Sequence, residues 1–540
     1  MKRASQIEHL KSDHFDLLVI GGGITGVGIA LDAQSRGLKT ALIEMDDFAS
    51  GTSSKSTKLI HGGLRYLKQM EFGLVSEVGK ERAIVHRIAP HLVHPDKMLL
   101  PLIRGGNYGK WLTSIGLKIY DWLANVKSID RRRMLNRKET AAAEPLLRTD
   151  ILEGGGLYAE YRTDDSRMVV SIAKTAKRIG ALVMNYVSAA SFVYEDGQIV
   201  GVHAKDENTG TLFDIQATCV VNATGPWVDD VRKKDQQVQG KRLHLTKGVH
   251  LVVEKHKLPL TQTIYFDNAD GRMIFAVPRG EAVYLGTTDT DFLGEKDSPE
   301  VTMEDVKYIL KACNDMFPNA HLTVEDVDSS WAGLRPLIHE DGKDPSELSR
   351  KDEIFYSESG LISIAGGKLT GYRKMSERVV DQVALKVNKP IGKCITDSIQ
   401  VDGGSFESYE DVQLLIKDLQ KRFDQLLPGY ADAEYLVHNY GTDAETILQS
   451  AMDSGEDLSM ALVWAETNYA IDSEMVMSSL DFFERRTGRL NFRIGSISKI
   501  RETVTKLMAK KLKWNKERVV KENLLLDKAL LRVRSFTLPK

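Results

Sequence analysis

Three glycines and one acid carry the first recognisable chemistry in this chain. Gly21, Gly23 and Gly26 follow the apolar run Phe15-Asp16-Leu17-Leu18-Val19-Ile20 in the spacing G-x-G-x-x-G. A helix is expected from Gly26 to Arg36, and a second apolar run, Thr40-Ala41-Leu42-Ile43, ends in Glu44. Strand, tight turn, helix, strand, acid is the arrangement that binds a dinucleotide. The first glycine permits the turn, the second lets backbone approach a pyrophosphate, and the third lets helix and strand pack closely. Thr25 lies inside the turn, where the helix N-terminus offers free N–H groups and partial positive charge to phosphate. Glu44 is expected to hold ribose hydroxyls. The glycines alone do not separate one dinucleotide from another. The stretch Ser50 to Lys58 does more, because Ser53, Ser54, Lys55 and Thr57 crowd amides, hydroxyls and charge together. That density suits a cofactor lying deep along a pyrophosphate and a ribityl chain, which favours FAD.

Other elements repeat the theme. A strand at Ala217–Asn222 ends in Ala223, Thr224 and Gly225, small residues that let backbone pass close to a flavin or adenosine. Another at Leu361–Ala365 ends in Gly366, Gly367 and Lys368, with Leu369 and Thr370 leading into a helix. This second strand–glycine–helix junction can again aim N–H groups at a cofactor. Asp164-Asp165-Ser166-Arg167 reads as a helix cap. Strands are expected near 181–186, 190–195 and 199–205. Residues 241–291 read as antiparallel, with Leu243–Leu245 and His250–Val253 flanking Lys247-Gly248 and a hairpin around Arg279-Gly280. A helix is expected at Val301–Phe317. Asp289 and Asp291 lack a full set of metal ligands, so turn and cap chemistry is their expected role and no metal is assigned.

Two segments stand apart. A helix over residues 71–88 carries Glu71, Glu77, Lys80, Glu81 and Arg82, which read as a solvated face. In residues 110–126, Trp111, Ile115, Ile119, Trp122 and Val126 share one helical face, bordered by Lys110, Lys118 and Lys127 and followed by Arg131-Arg132-Arg133. Such a stripe fits either an in-plane membrane helix or a helix packed on its own domain. From about residue 391 helical periodicity dominates, and the last stretch is basic, with Lys506, Lys510, Lys511, Lys513, Lys516 and Arg518.

With 540 residues the chain exceeds one ordinary core, so two or three domains are expected. A net charge of −2 gives no reason to expect nucleic-acid binding. Cys219, Cys313 and Cys394 form no C-x-x-C pair, which fits a reducing compartment without disulfides, zinc or iron–sulfur clusters. The N-terminus lacks the apolar core of a signal peptide, and no run is long enough to suggest a spanning helix. The expected location is cytoplasmic, peripheral on the inner face of the cell membrane.

His61-Gly62-Gly63-Leu64-Arg65-Tyr66-Leu67 resembles the signature of the FAD-dependent, respiratory glycerol-3-phosphate dehydrogenases. Three later stretches fit the same family in the same order. They are Val221 to Trp227, Gly333-Leu334-Arg335-Pro336-Leu337, and Gly366 to Lys374. The resemblance implies an α/β fold with a Rossmann-like FAD-binding domain of the glutathione-reductase/D-amino-acid-oxidase type. An antiparallel-sheet substrate domain and a C-terminal helical domain complete it. The FAD-binding domain is expected in three pieces, 15–90, 157–235 and 330–390. Residues 91–156 and 236–329 form the substrate or cap domain, and 391–540 the helical domain.

The family reaction is oxidation of sn-glycerol 3-phosphate to dihydroxyacetone phosphate, with a membrane quinone as acceptor and room for a homodimer. Such a site needs cations for a dianionic phosphate and a proton acceptor at the C2 oxygen. Arginine offers phosphate a planar fork and lysine a point charge. The resemblance assigns Arg65, Tyr66 and Arg350 to substrate, and Arg335 and Lys368 to catalysis beside His250, whose imidazole is the expected proton acceptor. His61 and Gly62 are expected on the flavin side. Competing readings are a glycerol-3-phosphate oxidase using oxygen, an amine or amino-acid oxidase on the same scaffold, and a flavin-bound sensor. An amine or amino-acid oxidase needs one carboxylate-binding arginine and not a cluster of cations.

Overall fold

The computed structural model describes residues 3–60, 72–106, 132–236, 238, 240–339, 351–426, 433–454 and 458–538. Two sheets, the helices packed on them and a C-terminal set of helices organise the described residues. In the first sheet the strands run in the order Glu353–Tyr356, Ile362–Ala365, Leu212–Asn222, His14–Ile20, Thr40–Ile43 and Leu182–Met184. The pairings from Ile362–Ala365 to Leu182–Met184 are parallel. Val187–Glu195 and Gln198–Asp206 extend it as an antiparallel flap. Parallel strands are covered on both faces and so read as unbroken apolar runs. Accordingly Leu17, Leu18 and Val19 are all fully buried. Helix Ile24–Ser35 packs on one face, between helices Asp165–Arg178 and Tyr372–Ala384. Helix Arg3–Ser12 helps close the other face.

The second sheet orders Thr290–Asp291, Arg242–Glu254, Ala282–Gly286, Met273–Arg279, Thr263–Asp267, His94–Ile103, Leu152–Arg162 and Leu59–Ile60. Val327–His339 pairs along nearly the whole of Arg242–Glu254. The two short strands expected around Lys247-Gly248 are therefore one continuous strand, carried through by its long partner. Helix Met303–Met316 covers one face of this sheet. Thr302 caps it with a reciprocal capping box to Asp305. Asp164 caps helix Asp165–Arg178 as expected, accepting from Arg167 N at 3.0 Å.

The solvated face expected on the helix Phe72–Ile88 needs correction. Lys80 is exposed, but Glu81 and Arg82 are buried. Glu81 accepts from Arg373 at 2.6 and 2.9 Å, and Arg82 donates to Glu160 at 2.8 Å. Their partners lie on a distant helix and strand, so the helix sequence alone resembles an ordinary charged face. Asp289 and Asp291 are not only turn residues: Asp289 accepts from Arg335 at 3.1 Å, and Asp291 bonds His244 at 2.8 Å. Residues 110–126, with their apolar stripe, lie outside the described residues.

The C-terminal helices, from Tyr409–Leu426 to Lys516–Arg532, have two cores of their own. They are nonetheless joined to the first sheet by buried charge. Arg167 grips Glu474 through two bonds of 2.7 and 2.8 Å, both side chains almost wholly buried. Lys506, Lys510, Lys513 and Lys516 are exposed on the outer helices.

Removing one member of a buried pair strands the other charge and costs about 3–5 kcal/mol. Glu81→Ala should therefore lower unfolding stability by about that amount in urea melts. Lys80→Ala, one residue away but exposed, should stay within about 0.5 kcal/mol.

Candidate functional site

A cavity of ≈ 1100 Å³ lies between the two sheets. It exceeds the roughly 300–1,000 Å³ of ordinary small-ligand pockets. Its floor is the C-terminal edge of the parallel strands, represented by Ile20, Ala223 and Ala365. Ligands of open α/β sheets bind outside that edge.

The first glycine junction is built by exclusion. Gly21 has φ +113°, and a Cβ there would lie 2.6 Å from the carbonyl oxygen of Ala223. A Cβ on Gly26 would sit 1.9 Å from the carbonyl oxygen of Gly21. No other residue allows this strand, this loop and the helix Ile24–Ser35 to meet. Gly23 stands at the helix N-cap, facing Ser53. Ser53 Oγ accepts from Ile24 N at 3.0 Å, tying the serine-rich loop to the helix start. Glu44 accepts from Gly22 N at 2.6 Å and from Asp46 N at 2.9 Å. Burial pushes its carboxyl up to about 7 in spite of those donors. Asn222 braces the next loop, accepting from Thr224 Oγ1 at 2.7 Å and donating to Val228 O. Gly366, Gly367, Lys368, Leu369 and Thr370 close the floor.

The opposite wall is one face of the second sheet. Alternate residues of a strand share a face. Gly248 and His250 therefore stand together, as do Trp331, Gly333 and Arg335 on the neighbouring strand. The register sets Gly248 opposite Gly333, and His250 opposite Trp331 on one side and Gly286 on the other. A Cβ at Gly286 would meet the His250 ring at 2.3 Å, and one at Gly248 would meet Arg335 Nη2 at 2.2 Å. A Cβ at Gly333 would reach the Lys55 carbonyl oxygen at 2.5 Å. Three glycines thus clear the ground for an imidazole, a guanidinium and the cofactor-side loop.

His250 is 2 % exposed and stacks on Trp331 with ring centroids 4.8 Å apart. Its Nε2 lies 3.0 Å from Thr57 Oγ1. Burial first, then the charges of Arg335 and Lys58, hold the imidazole well below its usual range, so it is neutral. Arg335 donates to Asp289 at 3.1 Å and to Thr287 Oγ1 at 3.0 Å. Lys58 is buried against Asp165 and sits over the Trp331 ring at 5.6 Å.

The structure brings Gly21, Gly23, Thr25, Glu44, Ser53, Lys55, Thr57, Ala223, Thr224, Gly225, His250, Arg335 and Lys368 onto one cavity. Ser54 is buried just behind the wall, its Oγ without a partner among the described residues. Arg65, Tyr66, His61, Gly62 and Arg350 lie outside the described residues. Sequence reasoning missed Trp331, Asp289, Thr287 and Asn222. The sequence reading expected no strand around Trp331, so its pairing with His250 emerges only from the long strand Val327–His339. The residues fit an FAD: two glycine junctions face one cavity, and the buried acid Glu44 stands at the end of the second strand.

The comparisons agree with this geometry. A family model described as FAD dependent oxidoreductase matches residues 16–373, and one described as the C-terminal domain of alpha-glycerophosphate oxidase matches 394–519. The chain is 46% identical over 538 residues to the aerobic glycerol-3-phosphate dehydrogenase of Bacillus subtilis (strain 168), covering 98% of this chain and 97% of that one. It is 47% identical over 527 residues to the corresponding Staphylococcus aureus (strain MRSA252) protein, covering 95% and 94%. Among solved structures, the Bacillus halodurans glycerol-3-phosphate dehydrogenase complexed with FAD aligns with TM-score 0.84 and 45% identity, covering 99% and 98%. An L-alpha-glycerophosphate oxidase from Mycoplasma pneumoniae, 17% identical with TM-score 0.56 over 71% of this chain and 96% of that one, shares the fold.

Gly248→Ala should displace Arg335 while leaving the FAD junctions intact. The expected result is retained flavin absorbance and a KM for the substrate raised roughly tenfold or more, the worth of one charge-assisted hydrogen bond. Steady-state kinetics on the flavin-loaded variant measure it.

Proposed function

The chain belongs to the family of FAD-dependent aerobic glycerol-3-phosphate dehydrogenases, and on that premise we propose that it oxidises sn-glycerol 3-phosphate to dihydroxyacetone phosphate and delivers the electrons to a membrane quinone. When bound, FAD supplies the acceptor for the hydrogen that leaves C2 as hydride. The chain's own residues do the rest. Arg335 and Lys368 hold the phosphate, the first by its planar fork and the second as a point charge. Asp289 and Thr287 fix the fork, so that little orientational freedom is lost on binding. His250 takes the C2 hydroxyl proton at Nε2. A neutral, buried imidazole is ready to accept it, and the cations around it favour the developing alkoxide. Arg65, Tyr66 and Arg350 complete the substrate contacts in this reading.

The observation that carries the proposal is that a neutral His250 and Arg335 share one face of the second sheet, across a cavity from the FAD junctions. The same reading divides the chain as its sequence suggests. A discontinuous FAD-binding domain spans 15–90, 157–235 and 330–390, an antiparallel cap spans 91–156 and 236–329, and helices follow from 391. Among the described residues no helix is long and apolar enough to cross a membrane. Contact with a membrane quinone then falls to an in-plane surface, for which the tryptophan-bearing stripe of residues 110–126 is the sequence candidate.

Anaerobic addition of sn-glycerol 3-phosphate should bleach the flavin, and adding back a quinone should restore its colour faster than air does. Persistent colour in a protein that dithionite still bleaches would sink the reading. His250→Ala should slow bleaching by ~10²–10⁴-fold, the usual contribution of a positioned base. The pH profile follows from the depressed imidazole. Because the base form persists below the usual histidine range near ~6.5, bleaching rates should hold between about pH 7 and pH 6. A fall of about threefold or more over that interval, which an imidazole titrating near ~6.5 would give, would contradict the depressed His250.

A further inference from the structure

One short segment far along the chain holds the cofactor-side loops from outside. Phe482–Arg486 is a single wide turn, closed by Thr487 N donating to Phe482 O at 2.9 Å. Turns with i→i+5 bonds are rare and are frequently found at functional sites. Here the wide turn buries three consecutive charged residues, Glu484, Arg485 and Arg486. Arg485 Nε donates to Asp47 Oδ2 at 2.7 Å. Arg486 forks onto both Asp47 oxygens at 2.7 and 2.8 Å. Glu484 accepts the Lys55 ammonium on one oxygen and Arg485 Nη1, at 2.7 Å, on the other. Asp481 anchors Arg485 at 2.7 Å and accepts the Tyr186 hydroxyl at 2.8 Å.

Both gripped residues bear on the glycine junction. Asp47 precedes Phe48, which is fully buried, and its ring would touch a Cβ on Gly22 at 2.8 Å. Ala49 N donates to Gly22 O at 3.1 Å, while Glu44 accepts from Gly22 N. Lys55 lines the cavity, and its carbonyl oxygen lies against Gly333. Fixing Asp47 and Lys55 therefore fixes the loops on both sides of the pyrophosphate turn.

We propose that Phe482–Arg486 is a positioning element of the FAD site, an ionic clamp that sets the loops at Asp47 and Lys55 so that tight FAD binding requires the docked C-terminal helices. Because the clamp is dry, losing any one of its partners is costly. Burial opposes the Asp47 charge, yet Arg486 and Arg485 bring its carboxyl down to about 2. Burial likewise opposes Glu484, which Lys55 and Arg485 hold well below the usual carboxylate range. Loss of one partner leaves the other charge uncompensated, and the loop that carries it must move.

The test is FAD release from the holoenzyme on dilution, which does not depend on the substrate or the acceptor. Glu484→Gln removes the charge at constant shape. Lys174→Met is the control: Lys174 bridges the same helical region to helix Asp165–Arg178 through Asp402 at 3.1 Å and Asp443 at 3.4 Å, away from the cavity. Glu484→Gln should release FAD about tenfold faster than the parent, in the range typical of lost supporting contacts around a bound group. It should also shift the flavin's visible band, while Lys174→Met lowers only the melting temperature. Release within about twofold of the parent, with a melting temperature lowered as in the control, would reduce the clamp to structure alone and overturn the proposal. If Glu484→Gln does not fold, Arg485→Lys keeps the charge but loses the fork, and it is read by the same assay against the same limits.

Discussion

Backbone has to meet backbone under the cavity, at distances that no side chain permits. The carbonyl of Gly21 lies where a Cβ of Gly26 would be, and the carbonyl of Ala223 crowds Gly21 from the other side. This contact brings the first strand, the helix Ile24–Ser35 and the loop after Asn222 to one point. The rest of the first sheet is arranged around it. Parallel pairing sends the ends of three strands to the same edge, so the glycine turns and Lys368 open into one space.

The second sheet answers with a face that has been cleared. Gly248 stands opposite Gly333 and Gly286 opposite His250, and the missing side chains make room for His250, Arg335 and the Lys55 loop. The His250 imidazole and the Arg335 guanidinium are carried by long paired strands, which hold them rigidly. The electrostatics follow from that placement. Burial and two nearby cations keep His250 neutral, while Arg335 pairs with Asp289.

Buried ion pairs do the long-range joining. Arg373 with Glu81, Arg167 with Glu474 and the group around Asp47 each link segments more than about 200 positions apart. Individually such pairs are weak evidence for net stability, since desolvation offsets much of their attraction. Their value is selectivity of register, because a charge buried without its partner is far costlier than one correctly matched. The C-terminal helices thus dock in one position on the cofactor-side loops and not merely against an apolar surface.

Local features of the chain were legible in its sequence. The glycine spacing at Gly21 to Gly26, the second junction at Gly366-Gly367, the cap at Asp164 and the hairpin at Arg279-Gly280 depend on neighbours a few residues away. The types His250, Arg335 and Lys368 pointed to phosphate and proton chemistry, and the resemblance gave them an order. What only the tertiary structure decided is which charges are buried. Glu81 and Arg82 look like a wet helix face until Arg373 and Glu160 arrive from elsewhere, and Lys247-Gly248 looks like a break until its long partner strand carries it through. The same holds for Glu484, Arg485 and Arg486, three adjacent charges in a helical stretch that a sequence reader assigns to solvent. Periodicity and propensity report on interactions within one or two turns, whereas the partner that makes a buried charge tolerable is brought in by the fold.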